Sequence, residues 1–117
     1  MTLEEKLFAA LTAICPRVFQ DFAPTNTPRP YVTFQQIGGE TVEFLDRAVA
    51  SKENAYVQVN VWADTRKEAK GTIQQIEVAL VQATEFQASP QAAPSNDFDP
   101  DMDRYSSMQD FSVWADR

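Results

Sequence analysis

The sequence predicts a single α+β domain over residues 1–117, with a small antiparallel or mixed sheet of about four strands, two helices packed on one face, and long loops between the strands. Three observations carry this prediction. Two segments repeat apolar residues at helical spacing after a capping motif. One segment alternates valines with polar and aromatic residues. The 117 residues are 44% hydrophobic and 23% charged, which suits one hydrophobic core.

The first helix is expected to begin next to Thr2, because Thr2 and Glu5 have the spacing of a capping box. Apolar residues then recur at three- and four-residue steps and give the segment one apolar side. These residues are Leu3, Leu7, Leu11, Ile14 and Val18. Pro16 ends or bends the helix near Ile14, since proline has no backbone N–H to donate. Residues 20–30 are rich in proline and are expected to form an extended connection.

Two strands are predicted next. Residues 31–37 are rich in β-branched and aromatic residues and end at a pair of glycines. Residues 55–62 place alanine and valines on one side and Tyr, Gln, Asn and Trp on the other, so the valine side is expected to face the core. Between the two strands lies a long connection, residues 38–54, in which residues 40–45 have the composition of a further short strand.

The second helix is expected to open at another capping box, Thr65 with Glu68, and to end near Thr84. Gly71 weakens this helix by about 1 kcal/mol relative to alanine. The predicted buried stripe is Ala69, Ile73, Ile76, Leu80 and Ala83. Residues 87–103 are rich in Pro, Ala, Ser and Asp and predict a long surface loop with at most a short strand around residues 85–88. The alternation then returns over residues 105–115, which predict the last strand.

Composition excludes several classes of function. Ten Lys and Arg against seventeen Asp and Glu give a net charge of −7, which disfavours a protein that grips phosphate backbones. The chain has no histidine, the commonest general base and zinc ligand. Its one cysteine, Cys15, predicts a small residue packed at a helix end rather than a nucleophile. We therefore expect no catalytic residue, no cofactor and no metal site.

The most unusual local pattern is acidic. Asp97, Asp99, Asp101 and Asp103 occupy alternate positions, which invites comparison with a calcium loop. An EF-hand would need glycine at the sixth position and glutamate at the twelfth, where this chain has Met102 and Met108. A solvated acidic loop is the better interpretation. The acidic N-terminal segment and the lack of an apolar run of about 20 residues predict neither a secretion signal nor a membrane span, so a cytoplasmic protein is expected.

Aromatic residues on the second side of the predicted sheet are the strongest functional signal. If the valines face the helices, Tyr56, Trp62 and Trp114 point away from them. Tyr and Trp are enriched at protein interfaces, so these three residues predict a self-association or partner surface. The next candidates for this interface lie in the long connection: Val42, Phe44 and Leu45. The alternative is that the long loops fold back over the aromatic residues as a small satellite core.

Several segments resemble one family. The leucine helix at the N-terminus is followed by residues 28–35 (PRPYVTFQ), by residues 57–63 (VQVNVWA) leading into residues 65–69 (TRKEA), and by the closing strand of residues 104–114. In this order they resemble the tail-completion, or tail-terminator, proteins of long-tailed bacteriophages and prophages. The likeness spans nearly the whole chain and is weakest between residues 87 and 103.

The resemblance implies a non-enzymatic structural subunit. It implies a ring, with six copies expected, at the head-proximal end of the tail tube, where the ring stops tube polymerisation and offers a head–tail joining surface. Its partners would be other copies of itself, the tail-tube protein and the head-completion or neck proteins, with the long loops as contacts. It would assemble in the bacterial host cytoplasm and then remain in the virion. DNA would pass through without specific nucleic acid binding, and no membrane would be involved.

Two other functions stay open at the level of sequence. A sheet with two helices on one face also suits a small-ligand-binding regulatory α/β module, which would need a concave pocket with converging polar groups. A metal-dependent hydrolase would have to use the acidic residues between Asp97 and Asp103. Nothing else in the chain supplies a nucleophile or a phosphate-binding loop for such an enzyme.

Overall fold

The computed structural model describes residues 2–41 and 51–116. Within them the chain forms two helices and six strands. In chain order these are α1 (Leu3–Thr12), β1 (Val18–Gln20), β2 (Tyr31–Gly38), β3 (Lys52–Ala63), α2 (Arg66–Gln82), β4 (Gln87–Pro90), β5 (Ser95–Asp99) and β6 (Arg104–Asp116). The predicted α+β class is confirmed, and so are both helices and the three long strands. The sheet has more strands than the four expected from the sequence.

The sheet is mixed. Its strands follow the order β1-β2-β3-β6-β4, and β5 also pairs with β6. The β1–β2 pair is parallel, and the other pairs are antiparallel. Because β3 pairs along almost the whole of β6, β4 and β5 must share the opposite edge of β6. There β4 lies against residues 111–114 and β5 against residues 104–108, with residues 91–94 between them.

The predicted surface loop over residues 87–103 is therefore wrong in part. The short strand expected around residues 85–88 is present as β4, shifted to Gln87–Pro90, and a second edge strand, β5, follows. Residues 91–94 and 100–103 lie outside the strands, as expected. These strands have almost no apolar alternation, because β5 buries no side chain and β4 buries only Ala88. Backbone hydrogen bonds to β6 stabilise both strands, and β5 adds polar and aromatic side-chain contacts to β6, such as Phe98 with Tyr105 and Asn96 with Ser107. A pattern of side-chain hydrophobicity cannot reveal a strand that is held by its backbone at a sheet edge.

Helix α1 is shorter than expected. The capping box is present, since the Glu5 N–H donates to Thr2 Oγ1 and the Thr2 N–H donates to Glu5 Oε1, both at 3.2 Å. The helix nevertheless ends at Thr12, and Val18 belongs to β1, where it pairs with Val32. The inclusion of Val18 in the helical period is thus wrong, although its burial is right. A three-residue strand is too short to show a period of its own.

The hydrophobic core lies between the helices and one face of the sheet. As predicted, α2 buries Ala69, Ile73, Ile76 and Leu80, and Ala83 is partly buried against the core. The strands contribute Val57, Val59, Val61, Phe111 and Val113, all at most 2% exposed. Cys15 is buried just after α1, which confirms its packing role. Neither described helix combines the length and the apolar character needed to cross a bilayer.

Candidate functional site

The face of the sheet that turns away from the helices, called here the open face, carries every second residue of the central strands. The strand register places Tyr31 beside Trp62, Gln58 beside Asp110, and Tyr56 beside Ser112. Its centre is polar and nearly uncharged. The central residues are Thr33, Gln35, Gln58, Asn60, Ser106, Met108, Asp110 and Ser112. Aromatic residues lie at its two ends, so it combines features of an interface core with those of a solvated surface.

At one end, four side chains form what we call the arginine cluster: Tyr31, Trp62, Asp99 and Arg104. The rings of Tyr31 and Trp62 are stacked with centroids 6.1 Å apart. The Arg104 guanidinium lies 4.2 Å from the centre of the Trp62 ring, and its Nη1 donates to the Tyr31 hydroxyl at 2.6 Å. Its Nε donates to Asp99 Oδ2 at 3.2 Å. A stacked cation of this kind contributes about 0.5–2 kcal/mol, more when water is excluded.

The arginine cluster joins residues of four strands. Asp99 ends β5, Arg104 begins β6, and the two aromatic residues lie on β2 and β3. The guanidinium therefore ties the β5–β6 hairpin to the middle of the sheet. Trp62 is half-buried as a result, so an isolated subunit partly shields this indole with its own side chains.

The other end of the open face is organised by Glu40 and Asn54. Asn54 is buried; its Oδ1 accepts from the Glu40 N–H at 2.8 Å, and its Nδ2 donates to Ser112 Oγ at 3.0 Å. The Tyr56 hydroxyl donates to Glu40 Oε1 at 3.0 Å. This hydrogen bond is the main reason that the pKa of Tyr56 is raised above its ordinary value. Trp114, beside Asn54 on β6, is half-buried and completes this end.

The centre of the open face is held by amide contacts. Gln58 Oε1 lies 3.5 Å from Gln35 Nε2 and 3.4 Å from Asn60 Nδ2, both long hydrogen bonds. Asp110 is the one carboxylate there, and its Oδ1 is buried without a hydrogen-bond partner among the described residues. An amide-rich surface with a single carboxylate costs less free energy to desolvate than one covered with Lys and Glu.

The predicted interface residues Tyr56, Trp62 and Trp114 all lie on the open face and are all half-buried. They do not form one cluster. Tyr56 and Trp62 are six positions apart on β3, which separates them by about 20 Å. Tyr56 and Trp114 share one end, while Trp62 belongs to the arginine cluster at the other. The second predicted group, Val42, Phe44 and Leu45, lies outside the described residues.

Sequence reasoning missed Tyr31 and Arg104 as members of the site. Tyr31 is only 7% exposed, and its strand begins with four buried residues in succession, which obscures the alternation. Arg104 stands at the first position of β6, next to the predicted loop. The signal that could have found both is the register, because pairing β2 with β3 places Tyr31 directly opposite Trp62.

The acidic run forms part of a turn. Asp99 Oδ1 accepts from the N–H groups of Asp101 and Met102, at 3.1 and 3.4 Å, while its other oxygen meets Arg104. Asp97 Oδ1 accepts from the Phe98 N–H at 2.8 Å. Two of the four carboxylates are thus engaged in local hydrogen bonds. Across residues 2–41 and 51–116, no three metal-ligating side chains are grouped closely enough to hold an ion.

A cleft of about 510 Å³ adjoins the arginine cluster. It lies between residues 23–29 and the turn that leads into β6, and Met102 and Arg104 are among its lining residues. The Arg29 guanidinium spans it, with Nη1 2.7 Å from the Asp103 carbonyl oxygen and 3.4 Å from Asp64 Oδ1. Both arginines of the cleft are already paired with acceptors of the chain, which disfavours an anion site there.

The chain is similar to known proteins both in sequence and in fold. The family model described as "Tail completion protein gp17" matches residues 6–116. The fold is similar to a chain in the solved structure "Virion of native gene transfer agent (GTA) particle", with a TM-score of 0.68 and 14% sequence identity. The alignment covers 98% of this chain and 95% of that one. None of the curated proteins matches the sequence.

Proposed function

The chain belongs to the tail completion protein gp17 family, and from this premise we propose that it caps the head-proximal end of a phage tail tube and offers the surface on which the head is joined. A structural role in phage tail assembly follows from membership of the family itself. The observation that carries the proposal is the family match, which extends over nearly the whole described domain. The α+β fold shared with a chain of a phage-like virion supports it.

Capping requires a closed set of subunits, and we propose a ring of about six copies joined by a heterologous contact repeated around one axis. The open face supplies one side of that contact. Tyr56, Trp62 and Trp114 remain half-buried in the single subunit, so a neighbour can cover more of their surface. Val42, Phe44 and Leu45 are the second group proposed for contacts with the ring or with its partners.

The partners proposed for the ring are the tail-tube protein on one side and the head-completion or neck proteins on the other. The net charge of −7 per subunit suits a passage for DNA, because a channel that attracted phosphates would retain the genome. Assembly would take place in the cytoplasm of the bacterial host, and the ring would remain in the finished virion. We propose that the chain has no enzymatic activity, since tail completion needs only binding surfaces.

A regulatory role that depends on a small ligand gains no support from the cleft beside the arginine cluster. Its polar groups already pair with one another, as Arg29 does with Asp64 and the Asp103 carbonyl oxygen. A metal-dependent hydrolase is not supported either, since Asp99 bonds to backbone N–H groups and to Arg104.

The proposal is tested by disrupting the gene for this chain in the phage or prophage that carries it. Electron microscopy of the lysate should show tails that are overlong or that lack heads, because nothing stops tube growth or joins the head. Supplying the wild-type chain from a plasmid should restore particles of normal length. Tails of normal length joined to heads in the disrupted strain would overturn the proposal.

A further inference from the structure

The outward side of helix α2 is almost free of charge. From Gly71 to Thr84 its one ionisable residue is Glu77, which is half-buried and accepts a hydrogen bond from Gln109 Nε2 at 2.7 Å. Two valines on this side are exposed to solvent, Val78 at 52% and Val81 at 49%. We call this surface the outer face of α2. Its residues are Gly71, Gln74, Gln75, Val78, Val81 and Gln82.

The beginning of the same helix, residues 66–70, is different. Arg66, Lys67, Glu68 and Lys70 are all exposed there. Helix formation and solubility therefore do not explain the uncharged surface, because exposed helix positions are usually filled with Lys, Glu and Arg. Charge depletion combined with exposed apolar side chains is the compositional mark of an interface core.

The net charge of the chain limits which surfaces of two copies can pack against each other. Each subunit carries −7, so the net electrostatic interaction between two approaching copies is repulsive. Contact between copies is least opposed where both surfaces are uncharged. Among the described residues, the exposed side of α1 around Phe8 and the residues of β4 also lack charge. The outer face of α2 and, apart from Asp110, the centre of the open face meet this condition as well, and these two surfaces lie on opposite sides of the domain because α2 packs on the core face of the sheet.

We propose that the outer face of α2 in one subunit packs against the open face of the next subunit. This inference rests on the ring of the proposed function and names the two surfaces that build it. Since the two surfaces differ and lie on opposite sides of the subunit, the contact is heterologous and passes from copy to copy until the ring closes.

The side chains of the two surfaces are chemically complementary. Val78 and Val81 offer apolar surface to the indole of Trp114 and the ring of Tyr56, which are residue types that often anchor interfaces. The amides of Gln74 and its neighbours can exchange hydrogen bonds with the amide and hydroxyl groups around Gln58. Neither surface would bury an unpaired lysine or arginine, and Asp110 is the one carboxylate whose desolvation would oppose the contact.

The test uses two variants that each disable one surface. The first combines Val78→Glu with Val81→Glu, and the second combines Tyr56→Ala with Trp114→Ala. The wild-type chain and both variants are compared by sedimentation velocity over a range of concentrations, alone and mixed in equal amounts. Lys67→Glu is the matched control, because it changes the net charge by the same amount on the charged turn of the same helix. Circular dichroism confirms that each variant is folded.

The proposal expects each variant alone to stay monomeric where the wild-type chain associates. The equal mixture should form a dimer of twice the 13.2 kDa monomer and nothing larger, since one intact surface remains on each partner. Lys67→Glu should associate like the wild-type chain. The results for the two variants alone, their mixture and the control together are expected only for a contact between two different surfaces.

Other outcomes would overturn the inference. If the Val78 and Val81 variant associates alone as the wild-type chain does, α2 is not part of the contact, although the ring itself stands. If the mixture stays monomeric, the two surfaces do not bind each other. A wild-type chain that stays monomeric at every concentration, alone and in the presence of tail tubes, would remove the ring and the inference together.

Discussion

The guanidinium of Arg104 lies 4.2 Å from the centre of the Trp62 ring and joins the first residue of β6 to the far end of β3. Trp62 is one of the residues expected at an interface, so the side chains packed against it determine how much of its indole surface a partner can contact. Because Arg104 also donates to the Tyr31 hydroxyl, contacts within the subunit already hold both aromatic side chains at this end of the open face. A rigid aromatic surface loses little conformational entropy on binding.

Replacing Arg104 with alanine should lower the free energy of unfolding by about 1–3 kcal/mol, because the stacking on Trp62 and the hydrogen bonds to Tyr31 and Asp99 are lost together. Arg66→Ala is the control, since that guanidinium lies 5.4 Å from the Tyr105 ring on an exposed helix turn and should cost less than about 1 kcal/mol. Urea denaturation measures both. Equal losses would show that the arginine cluster contributes no special stability.

Replacing Gly71 with alanine should raise the free energy of unfolding by about 1 kcal/mol, because alanine is the better helix former. A Cβ at this position meets no atom within 4 Å. Gly39→Ala is the contrasting variant, since its Cβ would lie 2.4 Å from the Asn54 carbonyl oxygen and should destabilise the fold by about 1–3 kcal/mol. Thermal denaturation of both variants tests the pair, and a loss of stability in Gly71→Ala would contradict the prediction.

The hydrogen bond from Tyr56 to Glu40 should be visible in a titration. The carboxylate accepts from the neutral phenol, so the folded protein favours the protonated tyrosine and the pKa of Tyr56 is raised. A raised pKa means that the contribution of this bond to stability is complete below the ordinary pKa of tyrosine and is lost as the pH rises through the folded value.

Glu40→Ala should move the pKa of Tyr56 down toward its ordinary value, measured by NMR on tyrosine labelled with carbon-13 at the ring carbon that bears the hydroxyl. Glu4→Ala is a suitable control, because Glu4 lies on α1 away from the open face. A Tyr56 titration that is the same in both variants would mean that the bond to Glu40 does not form in solution.

Compared with the wild-type chain, Trp114→Ala should self-associate more weakly by about 2 kcal/mol or more, because this indole is proposed as a central anchor of the ring contact. That loss corresponds to roughly a thirtyfold increase in the dissociation constant. Phe8→Ala on α1 is the matched control, since Phe8 is an aromatic residue with 47% exposure outside both proposed surfaces. Sedimentation equilibrium gives both constants. A larger effect from Phe8 than from Trp114 would place the contact on α1 instead.

Local patterns were sufficient for the helices and for the direction in which strand residues point. The spacing of Leu3, Leu7 and Leu11 and the stripe that includes Ile73 and Ile76 predicted two buried helix sides, because helical periodicity is a property of neighbouring residues. The alternation around Val59 likewise predicted that Tyr56 and Trp62 share the open face. Patterns failed at β1 and β5 and anticipated only the beginning of β4, because short edge strands depend on backbone pairing with a neighbour.

By itself the sequence determined the fold class, the core face of the sheet and the side on which the aromatic residues stand, since these follow from periods that each segment carries alone. Only the tertiary structure decided where along that side they lie. Register between strands separated by tens of residues put Trp62 with Tyr31 and Arg104 at one end, and Tyr56 with Trp114 at the other. Register is set by pairing across the sheet, which no single segment encodes.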